Sequence, residues 1–318
     1  MSRRLYFGMA LFWCGIFVAP VVMHAQEAQS RATDDKSSRD LLRRQMELKL
    51  RELEAASGSP EDETDLGAQI LLKRKPKPWA LTLSSDVGEV WSNNVFLSEG
   101  FKQGDLALTQ NDSAFFSYKL TDELTASLSY RFSMYRYHRL QIQNFDSHNA
   151  GFGLNYTLPL DISLYAGTQW TTIYSRPIGD SVYEEGDIYL GASKVFPINF
   201  INVLKDRAAW FVGYQTDLRM ASPKEFDRVE ISPYTGFMYQ VNPQTVWQTY
   251  YRWQYLKYQI NGRRDYNNSI SSSVAYSPWD WLTLSAFVGF TDNNSLGINN
   301  RNYDVFNTGG SVKLSWKF

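Results

Sequence analysis

The sequence predicts an all-β fold: a transmembrane, antiparallel, up-and-down β-barrel of about 12 strands. Polar and apolar residues alternate repeatedly from Trp79 to Phe318, and the final segment, Ser311–Phe318, alternates strictly and ends on an aromatic residue. Short and long connections also alternate along this part of the chain. Successive residues of a strand face opposite sides, so a barrel wall with lipid outside and water inside has this pattern.

The chain begins with features of a secretory signal peptide. Two basic residues, Arg3 and Arg4, precede an apolar run from Leu5 to Met23. This pattern predicts a signal peptide over 1–25, cleaved before the polar stretch that follows; an uncleaved anchor helix is the alternative. The only cysteine, Cys14, lies inside the apolar run, so no thiol, disulfide or cysteine metal site is expected in the mature chain.

Residues 26–78 are predicted to form a periplasmic tail. Within it, 34–56 predicts a short helix with one narrow apolar stripe, formed by Leu42, Met46, Leu50 and Leu53. Such a helix could pair with copies of itself, bind a periplasmic partner, or remain a solvated helix. An acidic linker follows at 58–65, and the basic, proline-containing 73–78 is expected at the periplasmic rim of the barrel.

The barrel itself is assigned to residues 79–318. In one strand, Leu124, Ala126 and Leu128 share the apolar parity, whereas Thr125 and Ser127 share the polar one. Many segments reach about twelve residues, which is longer than strands of ordinary globular domains. The predicted strands lie near 80–91, 112–120, 123–138, 145–158, 161–175, 186–196, 207–221, 226–241, 244–259, 265–277, 280–292 and 303–318.

The connections fit a barrel with periplasmic turns on one side and external loops on the other. Tight turns are predicted at Thr121–Asp122, Pro159–Leu160, Asn242–Pro243 and Pro278–Trp279. Longer polar loops are predicted at 92–111, 138–144, 176–185, 259–264 and 293–302. The connection at 197–206 is an exception, because it is long at a periplasmic position. An even number of strands places both the tail and the C-terminus in the periplasm.

Composition agrees with a barrel and excludes other classes. The aromatic content is 15%, with 20 Tyr and 10 Trp, which suits rings placed at two membrane interfaces. The outward parity carries aromatic residues near the strand ends: Tyr118, Tyr156, Tyr174, Tyr239, Trp247, Tyr255, Tyr276 and Trp316. The net charge of −1 gives no basic surface for nucleic acid.

Two segments carry a resemblance to known proteins. The closing strand resembles that of bacterial outer-membrane β-barrel proteins, which implies an outer-membrane location, surrounding lipid, and recognition of Phe318 by the barrel-assembly machinery. Residues 85–98, with Asn94, Val95 and Phe96 after the first strand, are similar to the opening of β-barrel porins and of barrels of some polysaccharide-export proteins. This second resemblance implies a pore-like barrel without naming a solute.

Charged residues on the inward parity are the candidate site. They are Lys119, Arg131, Asp217, Arg219, Glu230, Arg252 and Lys313, with Lys317 at the end of the last strand. Inside a narrow channel such charges set ion selectivity, or they pair with one another across the lumen. Glycines of the same parity, which keep the lumen open or leave space for a plug, are Gly151, Gly153, Gly167, Gly191, Gly213, Gly236 and Gly289.

We therefore expect a passive or weakly selective outer-membrane channel for small hydrophilic solutes, with no catalytic residue, cofactor or metal. A barrel component of an export or surface-assembly system is the first alternative, with the 34–56 helix binding a partner. An outer-membrane lipid hydrolase is the second, suggested by Ser147-His148-Asn149. The mature chain holds only His138 and His148, and this scarcity argues against a metal site.

Overall fold

The computed structural model is a closed, antiparallel barrel of 12 strands, as the sequence predicts. It describes residues 77–176, 179–198, 207–260, 262–297 and 301–318. The predicted signal peptide, the 34–56 helix and the linker lie outside the described residues, as does most of the 197–206 connection. No helix within the described ranges is long and apolar enough to cross a membrane.

Each strand pairs with its neighbours in sequence, and the first strand pairs with the last. The strands are β1 (Trp79–Ser92), β2 (Asp105–Lys119), β3 (Leu124–Tyr137), β4 (Phe145–Leu158), β5 (Ile162–Ser175), β6 (Ser181–Pro197), β7 (Ala208–Ser222), β8 (Arg228–Asn242), β9 (Thr245–Tyr258), β10 (Arg264–Trp279), β11 (Leu282–Leu296) and β12 (Tyr303–Lys317). The β1–β12 register runs from Thr82 opposite Lys317 to Ser92 opposite Asn307. Closure leaves no sheet edge with unpaired backbone groups, which a lipid environment requires.

The alternation in sequence becomes two faces of the wall. Leu128 on β3 points outward and is 55% exposed, whereas its neighbour Ser129 is less exposed and points inward. On β11, Leu284 and Val288 are outward and exposed in the same way. Apolar side chains that would be unfavourable in water are therefore gathered on the surface that faces lipid.

The two ends of the barrel differ, and we name them by their connections. The turn end holds the short connections at 120–123, 159–161, 243–244 and 280–281, together with both ends of the barrel sequence. The loop end holds the connections at 93–104, 138–144, 176–180, 223–227, 259–263 and 297–302. Short connections therefore alternate with longer ones, as predicted.

Several strands extend further toward the loop end than predicted. β2 begins at Asp105 rather than near 112, β6 begins at Ser181 rather than near 186, and β11 ends at Leu296 rather than near 292. The added residues include Asp105, Glu185 and Asn293, whose polar side chains favoured loops in the sequence prediction. In the structure they point into the barrel and are buried, so their polarity reflects a polar interior. The turn predicted at Pro278–Trp279 was also misplaced, because β10 continues to Trp279.

Candidate functional site

The interior of the barrel divides into two halves with different packing. In the loop-end half, inward side chains from nearly every strand are buried. They include Asp105, Thr109, Ser133, Phe145, Asn149, Ile173, Tyr183, Asp187, Asp217, Arg228, Leu256, Asp265, Asn293 and Tyr303. In the turn-end half, the inward side chains of β10, β11, β12, β1, β2 and β3 are mostly partly exposed. The interior is therefore tightly packed toward the loop end. Toward the turn end it is packed along β7 to β9, where Phe211, Met238 and Tyr250 form a buried cluster, and it is accessible along β10 to β3.

An apolar cluster crosses the loop-end half. Tyr135 on β3 and Phe145 on β4 stack with ring centroids 4.5 Å apart. Tyr183 packs edge-on against Phe226, which lies on a short 3-10 turn at Lys224–Phe226, with a centroid distance of 5.6 Å. Leu256 on β9 belongs to the same cluster. Since β3 and β9 are on opposite sides of the ring of 12 strands, the cluster spans the barrel.

A buried ionic network lies beside this apolar cluster. Arg219 on β7 approaches Glu185 on β6 at 2.8 Å and Glu230 on β8 at 3.3 Å. Arg228 approaches Glu185 at 3.0 Å and Glu230 at 2.6 Å. The Tyr183 hydroxyl also donates a hydrogen bond to Glu185. Each carboxylate thus meets two guanidinium groups, which offsets the cost of burying these charges.

Four of the predicted site residues lie in or near this network. Arg219 and Glu230 are members of it, so the pairing that the sequence left as an alternative is the geometry found. Asp217 is buried on the same inward face and accepts a hydrogen bond of 2.6 Å from Gln215. Arg252 on β9 is partly exposed and stands opposite Tyr234 and Ser269 in the register.

The other predicted site residues lie nearer the turn end. Arg131 is inward and partly exposed midway along β3. Lys313 is inward on β12, where its register partner is Asp86 on β1. Lys119 lies at the rim, where it forms an ion pair of 2.9 Å with Asp122. The hydrogen bond and the charge of Lys119 lower the pKa of Asp122.

Aromatic rings pack against the backbone of inward-facing glycines on β5 to β8. A Cβ atom on Gly191 would come within 2.4 Å of the Tyr165 ring, and one on Gly213 within 2.2 Å of the Tyr234 ring. Gly236 has the same relation to Phe211, at 2.1 Å. These glycines therefore make room for rings that thicken one wall. The hydroxyls of Tyr165 and Tyr234 meet at 3.2 Å.

The opposite wall is lined with hydroxyl groups. The inward serines of this wall include Ser84, Ser113, Ser127, Ser129, Ser271, Ser273, Ser285 and Ser311. Ser84 and Ser113 lie 2.8 Å apart, and Ser311 donates a hydrogen bond of 2.8 Å to Asp86. We call this the hydroxyl wall. Most of its side chains are small and polar, with Phe115 and Phe287 as inward aromatic residues among them, and they line the accessible part of the interior.

Sequence reasoning missed Glu185, Arg228, Asp86 and the hydroxyl wall. Glu185 fell inside a predicted loop, so its inward parity was not recognised. Arg228 shares the parity of Glu230 and could have been found from that spacing. On β10, Ser269, Ser271 and Ser273 occupy alternate positions. This pattern indicates a polar inner face and could have predicted the hydroxyl wall.

The Ser147-His148 pair does not form a nucleophile and its base. The two residues are adjacent in β4 and therefore point to opposite faces: Ser147 is buried inside, while His148 is on the outer surface. His148 Nδ1 lies 2.8 Å from the Tyr130 hydroxyl and is surrounded by the rings of Phe132 and Tyr174. Across the described ranges, no group of acidic, histidine or cysteine side chains could hold a metal ion.

Comparison with known proteins adds support for the fold. No protein-family model matches the chain. No curated protein is significantly similar to it. Among solved structures, the COG4313 outer membrane channel from Pseudomonas putida F1 has a TM-score of 0.51 and 14% identity, covering 80% of this chain and 100% of that one.

Weaker likenesses include other barrels. The KdgM porin in complex with disordered oligogalacturonate has a TM-score of 0.41 and 10% identity, covering 73% of this chain and 99% of that one. LpxR from Salmonella typhimurium has a TM-score of 0.41 and 10% identity, with coverage of 74% and 99%. Likenesses of this strength carry no argument about activity. The closed ring of 12 strands, the apolar outer wall and the likeness to the outer membrane channel identify an outer-membrane β-barrel protein.

Proposed function

We propose that this barrel is an outer-membrane channel for passive or weakly selective passage of small hydrophilic solutes. The observation that carries the proposal is the hydroxyl wall, a polar and partly exposed inner surface that runs along neighbouring strands from β10 to β3. A path for hydrated solutes needs hydrogen-bonding groups of this kind, whereas a solid barrel core would be filled with apolar side chains.

The packed loop-end half acts as the constriction of this channel. Solutes that enter from the turn end meet the apolar cluster and the ionic network before they reach the loop end. Phe226 is the member of the cluster that comes from a connection, the 223–227 segment, and not from the barrel wall. Movement of this connection would widen the path without disrupting the strands.

Charge along the path favours anions. Arg131, Arg252 and Lys313 are inward and partly exposed, and Asp86 is the acidic residue placed opposite Lys313. In the network, Glu185 and Glu230 are already opposed by Arg219 and Arg228. Arg252 also interacts electrostatically with the buried acids Asp217 and Glu230. The basic side chains are more exposed than these acids, so a passing ion meets positive charge first, which attracts anions in a narrow pore.

The proposed orientation places the turn end in the periplasm and the loop end outside the cell. Phe318 lies at the turn end, where its backbone N–H donates a hydrogen bond of 3.0 Å to Leu81 on β1. Its side chain is 59% exposed, so an assembly factor could contact it during insertion. Binding of a periplasmic partner through the 34–56 helix, as an exporter would require, remains a prediction.

Conductance in planar bilayers tests the proposal. The wild-type protein should give discrete current steps, and Phe226→Ala should increase the step size because it removes a ring from the constriction. Phe290→Ala is the matched control, since Phe290 is an outward, exposed phenylalanine on β11. If correctly folded wild-type protein and the Phe226→Ala variant both fail to conduct, the channel proposal is wrong.

A further inference from the structure

Two basic residues face each other on the outer surface at the loop end. Lys257 is the outward residue next to the end of β9, and Arg264 is the first residue of β10; they are register partners. Both side chains are exposed. Like charges placed directly opposite in an antiparallel pair repel each other, so this arrangement is unfavourable unless an anion lies between them.

Several other cations at the loop end are matched by acids. Lys102 pairs with Asp304, and both Arg136 and Arg176 pair with Asp146. Lys257 and Arg264 differ, because within the described residues neither forms an ion pair. Their next register partners are apolar, Val229 on β8 and Leu296 on β11. The adjacent Arg263 is held by Asp265 at 2.5 Å and does not contribute.

The height of this pair on the wall matches the headgroup layer of a membrane. The next outward pair toward the turn end is Tyr255 and Tyr266, whose ring centroids are 5.4 Å apart. Trp253 packs against Tyr266 at 6.4 Å. Aromatic residues of this kind mark the membrane interface. Lys257 and Arg264 lie two residues further out, or about 7 Å from the tyrosines along the strand.

We propose that Lys257 and Arg264 bind a phosphate group of lipid A in the outer leaflet. Arg264 would hold two phosphate oxygens with its planar guanidinium, and Lys257 would add a second positive charge. The Tyr255 and Tyr266 rings and Leu296 would contact the apolar part of the same lipid. Two exposed side chains would bind free phosphate only weakly. The additional apolar contacts on the membrane-facing surface therefore favour a lipid over free phosphate.

The inference rests on an outer-membrane location and on the proposed orientation of the loop end, but not on solute passage, so it and the channel proposal can fail separately. The full chain in a nonionic detergent should bind bisphosphorylated lipid A, measured by native mass spectrometry. The K257Q/R264Q double variant should bind about 30-fold more weakly, because each basic residue near an anionic lipid surface contributes roughly a factor of five. Conductance should be unchanged.

A matched control distinguishes binding at Lys257 and Arg264 from a general effect of removing positive charge from the outer surface. Lys194 is also an outward cation, but it lies near the turn end over the Phe196 ring at 5.1 Å, so K194Q should leave lipid A affinity unchanged. Heat-modifiable migration checks that each variant is folded. Equal binding by the wild type and the double variant, equal binding of dephosphorylated lipid A, or displacement of lipid A by stoichiometric inorganic phosphate would each overturn the proposal.

Discussion

Arg219 on β7 lies 2.8 Å from the Glu185 carboxylate on β6, inside the loop-end half of the barrel. The side chains of both residues are buried, and Arg228 reaches the other oxygen of the same carboxylate at 3.0 Å. Strands that meet only through backbone hydrogen bonds are thereby also joined through their inner side chains. The contact makes the packing of the loop-end half dependent on charge pairing.

Removing one member of this network should be costly. Glu185→Ala leaves Arg219 and Arg228 buried with Glu230 as the one remaining carboxylate of the network, and the expected loss is about 3–5 kcal/mol in the free energy of unfolding. Folding titrations in lipid vesicles with urea would measure it. Glu184→Ala is the control, because Glu184 is the outward neighbour. A similar loss in both variants would mean that the network does not stabilise the barrel.

The outward and inward parities of β3 can be tested at adjacent positions. Leu128→Arg places a charge on the lipid-facing wall and should cost about 2–4 kcal/mol if the position is near the middle of the membrane. Ser129→Arg places the same side chain inside and should cost much less. The same vesicle titrations report both values, and equal costs would contradict the assignment of faces.

The contact between Gly213 and Tyr234 predicts an effect of adding one methyl group. Gly213→Ala would bring a Cβ within 2.2 Å of the ring, so the tyrosine must move, at an expected cost of about 1–3 kcal/mol. Gly100→Ala should have little effect, since nothing lies within 4 Å of that position. The midpoints of urea unfolding would compare the two. Indistinguishable midpoints would show that the ring relocates freely.

Deletion of Phe318 should impair insertion. The backbone N–H of Phe318 donates a hydrogen bond to the Leu81 carbonyl, and this bond joins the end of the chain to β1. The exposed ring of Phe318 is the proposed assembly signal. The folded fraction in outer-membrane preparations, followed by heat-modifiable migration, should fall. Phe318→Tyr keeps an aromatic ring and should retain most of the yield. An unchanged folded yield after the deletion would contradict the assembly role.

The alternation of side chains was sufficient to predict the barrel and its number of strands, and the lengths of the connections predicted which end holds the short turns. The prediction succeeds because one face of each barrel strand contacts lipid, so every second residue must be apolar. The loop-end boundaries of β2, β6 and β11 were not predictable in this way. Their polar residues point inward, and their partners, such as Arg219 for Glu185, come from other strands.

The positions of the candidate site residues were predicted in part. The alternation correctly indicates that Arg131, Arg252 and Lys313 point inward. It does not predict how far along the barrel axis each side chain lies or which residue it contacts. Lys119 therefore appeared to be a lumen residue, although it lies at the rim beside Asp122. The packing of Tyr234 on Gly213 also depends on the register between strands, which the sequence does not specify.

Reversal potential in a planar bilayer under a salt gradient tests the central claim most directly. The wild-type protein should conduct and prefer anions, because Arg131 and Arg252 place positive charge on the inner face. The Arg131→Ser, Arg252→Ser double variant should still conduct, with its reversal potential shifted toward zero. Folded wild-type protein that gives no current, or a conducting double variant with an unaltered reversal potential, would contradict this account.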